Sequence, residues 1–587
     1  MKHQIVVFIL AFSCSSLSAQ VRPNHIFSDN MVLQRDKPVK VWGWASPKER
    51  VQVVFERQIK TTIANSKGEW SLYLSPIHPS NKPQDLVISG KNKIKYTNIL
   101  VGDIWVLGGQ SNMEFDLDRV YNGDLEVASA NFNNIRLMTI PSASGLQLKK
   151  DFERINEYDG WLDRYDKKGY WFVCSPKTVK TFSAMGYIFG RRIYMATQIP
   201  IGLVDVSVGG TTLEAWLSSG MLEGLPENKK VIAEWDKKIK TYDPKENLAT
   251  KIINWEKRSE IRKKQGLEAA PKPTEPDQDP ALDRNYPGAS YNGMVAPIAG
   301  LSIKGIIFNQ GYNNALSSDS RPQLYAKNFI NLIADWRKTF NDENLPFGII
   351  ELSAGGTPQT FENYEVEMTD AAPFIREGQF KAYKHYKNTG YVAIYDQQEN
   401  WYHPRKKIQA GERIARWALD TQYHFDMGWA PAECIGVERK SDRITITFSK
   451  EIKTSDDRPF DGFSIAGEDG HFFPAEAKYM VKEKDKAGND ILDKTKLVIL
   501  TNLVREPKEV RYAWARNPIG NVVNDAGRER VIFLPQFRTD SWNYPEAPFE
   551  QDELAVYRKK IIELRNQSVE WIKQRKIQEI KSLNPDL

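Results

Sequence analysis

At 587 residues, with 41% hydrophobic and 27% charged residues, the chain is long enough for roughly three to four domains and a separate cleft. Its net charge of +6 is small for that length, and Lys and Arg alternate with Asp and Glu throughout. No basic block is large enough to track a phosphate backbone, which argues against nucleic acid as a partner.

Residues 1–19 read as a secretory signal. Lys2 and His3 form a basic start, Ile5 to Phe12 an apolar core, and Leu17-Ser18-Ala19 a small-residue cleavage site. Ala11-Phe12-Ser13 is a poor lipoprotein context for Cys14, so the expectation is a secreted or periplasmic chain without a lipid anchor. No later run approaches about 20 apolar residues, so no membrane span is expected. Cys174 and Cys434 remain after cleavage; a disulfide between them is left open, and their spacing fits no metal site.

Residues 20–98 read as an N-terminal β domain. Val51, Val53 and Phe55 alternate with polar residues, as do Trp70, Leu72 and Leu74, with a turn at Asn65–Gly68. Ile104–Leu107 then reads as a buried strand that ends at Gly108-Gly109 and delivers Ser111 at a sharp turn. Further strands are predicted at Ile135–Met138, Ile201–Val208, Ile303–Phe308 and Phe347–Leu352, with helices over Phe182–Ala196, Gln323–Phe340 and Arg405–Leu419. Strands alternating with helices predict a parallel sheet covered on both faces, split here into 99–217 and 291–429. Between them, 218–290 is charged and closes in a Pro-rich run, which reads as a helical insertion. A second β domain is predicted over 430–545, and 546–587 contains an amphipathic helix over Asp552–Lys581 that packs on its own protein or on a partner chain.

Ser111 is a candidate nucleophile if a base reaches it. Among seven histidines, His403 stands out in Trp401-Tyr402-His403-Pro404-Arg405, at a loop-to-helix junction able to face the sheet edge. Backbone N–H groups at Gly209 and Gly210, and the Asn314 amide, sit at the next two strand ends, where donors for an oxyanion would be needed.

Over almost its whole mature length the chain resembles the sialate O-acetylesterase family, within the SGNH hydrolase superfamily. The resemblance rests on ordered matches: Phe27–Gln34 with Val41-Trp42-Gly43-Trp44, Gly109-Gln110-Ser111-Asn112-Met113, Phe182-Ser183-Ala184, and Gly209-Gly210-Thr211 with Glu214-Ala215-Trp216. Tyr291–Pro297, His403-Pro404-Arg405, and Val510–Trp514 with Asn517-Pro518 complete the set. It implies an α/β fold with a flavodoxin-like, three-layer parallel-sheet core between N- and C-terminal β-sandwich-like domains. It also implies a cofactor-free, metal-free serine esterase that removes O-acetyl groups from sialic acid or other acetylated glycans. Ser111 would be the nucleophile and His403 the base, with Ser111, Gly209, Gly210 and Asn314 as the oxyanion hole.

Two departures stand out. Tyr312 occupies the place of a family glutamate in Gln310-Gly311-Tyr312-Asn313-Asn314, and Trp401 that of an aspartate two residues before His403. Glu399 and Asp396 are the nearest replacements, Glu399 being preferred as the third catalytic member. Gln110, Gln310, Tyr312 and Trp401 are expected around the substrate. The aromatic replacements also motivate a glycan-binding scaffold without turnover, or a hydrolase of another carbohydrate ester.

Overall fold

The computed structural model describes residues 20–159, 164–316, 319–524 and 532–583; the signal expected at 1–19 lies outside them. Its central feature is strand β1 (Lys93–Gly109), far longer than the four-residue run that marks it in the sequence. Its first half pairs antiparallel with Ser80–Ser89 of the N-terminal β region, and its second half, buried from Ile99 to Gly109, lies in the core sheet. A strand buried on both faces reads as a continuous apolar run, which is why only its last part showed clearly.

After β1 come a single helical turn, α1 (Ser111–Glu114), and strand β2 (Phe132–Thr139). A hairpin follows, β3 (Ile155–Asp159) with β4 (Arg164–Lys168), then β5 (Phe172–Cys174), α2 (Ala184–Thr197) and β6 (Ile201–Asp205). Beyond the insertion lie β7 (Gly305–Asn309), α3 (Tyr312–Leu316), α4 (Pro322–Thr339), β8 (Phe347–Ile350), α5 (Ala372–His385), β9 (Thr389–Val392) and α6 (Lys407–Tyr423). The core order is β5-β2-β6-β1-β7-β8-β9; β5 is antiparallel to β2 and the other pairs are parallel.

Alternate residues of β1 face opposite ways. Trp105 and Leu107 pack with Phe189 of α2 and Trp417 of α6, whereas Ile104 and Val106 belong to the cluster holding Phe329 and Trp336 of α4 and Ile375 of α5. The mixed sheet therefore has helices on both faces. The insertion is helical over Pro226–Thr241 and Pro244–Lys264. The last helix, α7 (Gln551–Leu583), docks on its own chain: Leu554 and Tyr557 are buried, and Trp571 stacks on His471 with ring centroids 4.4 Å apart. The disulfide left open in the sequence does not form. Cys174 is buried in the core and Cys434 lies in the C-terminal β region, both as free thiols, and burial pushes the Cys174 thiol up to about 12. Among the described residues no helix is long and apolar enough to cross a membrane.

The turn out of β1 admits only glycine at one point. Gly109 has φ +133°, and a Cβ there would lie 2.0 Å from the Asn309 carbonyl oxygen of neighbouring β7. Strain and overlap act together. Gly109→Ala is expected to destabilise the protein by about 3 kcal/mol or more, read as a lowered thermal-unfolding midpoint; an unchanged midpoint would contradict this account of the turn.

Candidate active site

Ser111 opens α1 at the carboxyl end of β1, with its amide in a first helical turn where N–H groups lack intrahelical acceptors. The loop after β6 is stitched alongside. Val206 N–H donates to the Leu107 carbonyl at 2.9 Å, and Val208 N–H to the Gly109 carbonyl at 3.1 Å. This brings Gly209 beside the serine: a Cβ on Gly209 would meet the Ser111 Cβ at 3.2 Å. Ser183 caps α2 by accepting from Gly186 N–H, and its hydroxyl donates to the Met113 carbonyl at 2.6 Å. Helix start and nucleophile turn are thereby locked together.

His403 arrives from the loop between β9 and α6, and its Nε2 lies 2.7 Å from Ser111 Oγ. Two hydrogen bonds through Asn112 hold that loop against the serine turn. Asn112 Nδ2 donates to the Tyr402 carbonyl at 3.1 Å, and Lys407 Nζ donates to Asn112 Oδ1 at 2.5 Å. From the other side, the C-terminal β region supplies Asn517, whose Nδ2 donates to the carbonyls of Gly356 (2.8 Å) and Glu399 (3.2 Å).

The imidazole is 3% exposed and sits among aromatic rings: Phe115 stacks at 5.9 Å, Trp401 meets it edge-on at 5.1 Å, and Tyr402 lies at 4.5 Å. Burial, with Lys407 and Arg119 adding positive charge, pushes its pKa down to about 3. Lys407 is itself buried, which pushes it down to about 7 against the pull of Glu399.

The residues proposed around this pair sort differently from expectation. Glu399 accepts from Arg405 N–H at 3.1 Å through Oε2, while its buried Oε1 has no hydrogen-bond partner. Its Oε2 thus serves the chain turn at Arg405. Asp396 is held by Arg413 in a paired contact of 2.6 and 2.7 Å. Gly209 N–H, expected at the oxyanion, donates to Glu114 Oε2 at 2.6 Å. Asn314 points away from the serine: its Oδ1 accepts from Leu213 N–H and Gln310, and its Nδ2 donates to Glu214. Asn313 is the asparagine that lines the cavity before Ser111, with Gly209 and Gly210 beside it. Gln110 lines it too, bonded to Asn313 and to Gly311 N–H, whereas Gln310 is buried against the Thr211 carbonyl. Tyr312 lines the cavity with its ring, and its buried hydroxyl has no hydrogen-bond partner. That hydroxyl sits beside Gly355 and the Trp401 carbonyl, since a Cβ at Gly355 would approach them to 2.5 and 2.3 Å. Trp401 packs against the His403 ring edge.

The cavity, about 530 Å³, also contains charges that motif reading passed over. Glu114 ends the turn that Ser111 begins, and Asp205 ends β6; the hairpin adds Glu157 and Asp166 with Lys168. Burial raises the Glu114 pKa and pushes Asp205 up to about 7. Lys168, 3.3 Å from Glu157, is raised: burial opposes its charge, but Glu157, Glu114 and Asp205 outweigh it. Only Glu114 had a sequence signal, by lying three residues after Ser111. Among the described residues, no group of three or more His, Cys, Asp or Glu is arranged to hold a metal ion.

Two measurements follow. Imidazole NMR should show His403 neutral down to below pH 5, and a midpoint near 6.5 would contradict its burial. The unfolded chain takes up this proton from about pH 6.5 downward, while the folded chain resists it until about 3. The His403 contribution to stability therefore falls as pH drops through that window. Tyr312→Phe removes an unsatisfied buried hydroxyl and is expected to raise stability by about 1 kcal/mol in denaturant melts; a loss would reveal a partner for that group.

No family model matches the chain. It is 26% identical over 372 residues to the sialate O-acetylesterase of Mus musculus, covering 60% of this chain and 63% of that protein. With the sialate O-acetylesterase of Homo sapiens it is 25% identical over 352 residues, 56% of each. The match thus spans less than two thirds of these relatives' own length. In structure it is similar to a carbohydrate acetylesterase of Xanthomonas citri, with TM-score 0.69 and 24% identity over 89% of this chain and all of that one. That likeness bears on the fold, and the sequence matches make the chain similar to sialate O-acetylesterases over somewhat more than half of its length.

Proposed function

We propose that this protein is a serine esterase that removes O-acetyl groups from glycans, built on an SGNH-type core. The observation that carries the reading is the 2.7 Å contact between His403 Nε2 and Ser111 Oγ at the floor of an open cavity. A neutral imidazole at that distance is a competent base. Ser111 Oγ attacks the acetyl carbonyl carbon as its proton passes to Nε2. The carbon–oxygen bond to the sugar then breaks, and Nε2 returns the proton to the departing sugar oxygen. Water, deprotonated by the same nitrogen, attacks the acetyl-serine, and acetate leaves as Oγ regains its proton.

The Ser111 amide at the start of α1 is the leading oxyanion donor. Gly209 N–H joins it where Glu114 releases it, and Gly210 lies beside them along the cavity wall. The secreted or periplasmic location expected from residues 1–19 fits a glycan outside the cytoplasm. A cofactor has no role in these steps.

A second reading has its own support. His403 faces Lys407 and Arg119, and Glu399 is committed to the Arg405 turn. Positive surroundings oppose the imidazolium that the reaction needs, as expected of a scaffold that binds acetylated glycans and turns them over slowly or not at all.

Acetate release from 4-nitrophenyl acetate and from acetylated oligosaccharides separates the two. The esterase reading expects Ser111→Ala to lower kcat by about 10³-fold or more. Equal rates for wild type and variant would exclude Ser111 as nucleophile. Glycan binding without acetate release by the wild type would establish the second reading.

A further inference from the structure

The cavity before Ser111 carries an unequal set of charges. Among the described residues, five carboxylates line it, from Glu114, Asp116, Glu157, Asp166 and Asp205, against three cations, Arg119, Lys168 and Arg284. The cations are engaged with the protein. Lys168 pairs with Glu157 at 3.3 Å, Arg284 Nη1 donates to the Gly209 carbonyl at 3.0 Å, and the Arg119 guanidinium lies 4.6 Å over the Phe115 ring. Three of the carboxylates are fixed as well: Glu114 by Gly209 N–H, Asp205 by Ser207, and Glu157 by Ser142 N–H at 3.0 Å. The wall facing the nucleophile is therefore rich in hydrogen-bond acceptors, and its carboxylates outnumber its cations even though burial disfavours the charged forms of Glu114 and Asp205. Two of the five carboxylates, Glu157 and Asp166, come from the β3–β4 hairpin, outside the core sheet.

Such a wall treats two kinds of sugar differently. Hydroxyl groups are donors, and fixed carboxylates are strong acceptors for them. A sugar carboxylate brings a like charge and, with it, a cost in association.

We infer that this site takes an uncharged, hydroxyl-rich acetylated saccharide and discriminates against sugars bearing a carboxylate, with Glu157 and Asp166 of the β3–β4 hairpin as specificity-determining residues. The inference rests on the esterase reading and names its substrate class. It separates this chain from what the names of its sequence relatives suggest, because sialic acid is itself a carboxylate. The ester reacts at Ser111 while the sugar ring extends towards the hairpin.

The test is a matched pair: an acetylated methyl glucoside and the corresponding methyl glucuronide, with the ester on the same hydroxyl, alongside O-acetylated sialic acid. Acetate release gives kcat/KM for each, and 4-nitrophenyl acetate reports the chemistry without a sugar. The expected result is a preference of at least about tenfold for the glucoside over both acidic sugars. That preference should shrink as salt rises from about 0.01 M to about 1 M, over which the screening length falls from about 30 Å to about 3 Å. The double variant Glu157→Gln/Asp166→Asn is expected to reduce the preference at least threefold. Because the preference is a ratio within one preparation, it does not depend on how much of the variant folds. Equal or better turnover of the acidic sugars, with 4-nitrophenyl acetate hydrolysed, overturns the inference and leaves the esterase reading standing. A preference unchanged in the double variant overturns the assignment to the hairpin. No release from any substrate, 4-nitrophenyl acetate included, overturns both.

Discussion

A histidine serves as a base to a serine hydroxyl only when it is neutral and held at contact distance, and here one constraint, burial, secures both. With 3% of its surface exposed, His403 has no room to rotate away, and the imidazolium is disfavoured by lost solvation before any neighbour acts. Rings of Phe115, Trp401 and Tyr402 supply that environment, and the 2.7 Å contact with Ser111 follows from it. Aromatic packing thus bears on the orientation of the imidazole, a task for which serine hydrolases commonly use a carboxylate. It does not help with charge: rings and cations stabilise the neutral form, whereas a carboxylate would stabilise the protonated one. The same surroundings that ready the base oppose its charged intermediate.

The structure around this pair consists largely of devices that prevent the two segments from separating. Ser111 and His403 are 292 residues apart in sequence. Asn112 bridges them through the Tyr402 carbonyl and Lys407, Ser183 binds the turn from below, and Asn517 clamps the loop from the C-terminal β region. These side chains bond mainly to backbone carbonyls, so they fix position without adding charge. Three of them, Asn112, Ser183 and Asn517, lie in the motifs read from the sequence.

What the sequence revealed follows the same physics. Apolar runs and helical spacing disclosed β1, β2, β6, β7, β8, α2, α4 and α6, because those elements bury their side chains in the pattern their geometry imposes, whereas the short strands β5 and β9 and the short helix α3 went unread. The serine and histidine were legible because a glycine pair and a proline punctuate the chain beside them. Asn314 and Asn313 were not distinguishable, since neighbours on one helical turn point different ways and spacing alone does not give the phase. Glu399 was preferred for its proximity in sequence, and the chain turn that brings one of its oxygens to the Arg405 N–H was not legible there. Glu157, Asp166 and Lys168 were invisible because a polar two-stranded hairpin carries no periodic apolar signal, and its relation to Ser111 exists only in three dimensions.

That invisibility bears on how such a site diversifies. The Ser111–His403 contact depends on β1, α1 and the His403 loop, all fastened into the core, and a change there is expected to disturb stability as well. The hairpin is joined to the sheet at its base, and its pairing is internal, so its side chains can vary with little consequence for packing. Charge can therefore be redistributed across the cavity from Glu114 and Asp205 below to Glu157 and Asp166 above while the Ser111–His403 contact stays fixed. Under the esterase reading, the Ser111–His403 geometry and the choice of sugar are then set by separate parts of the chain, since a fold does not by itself determine what its site admits.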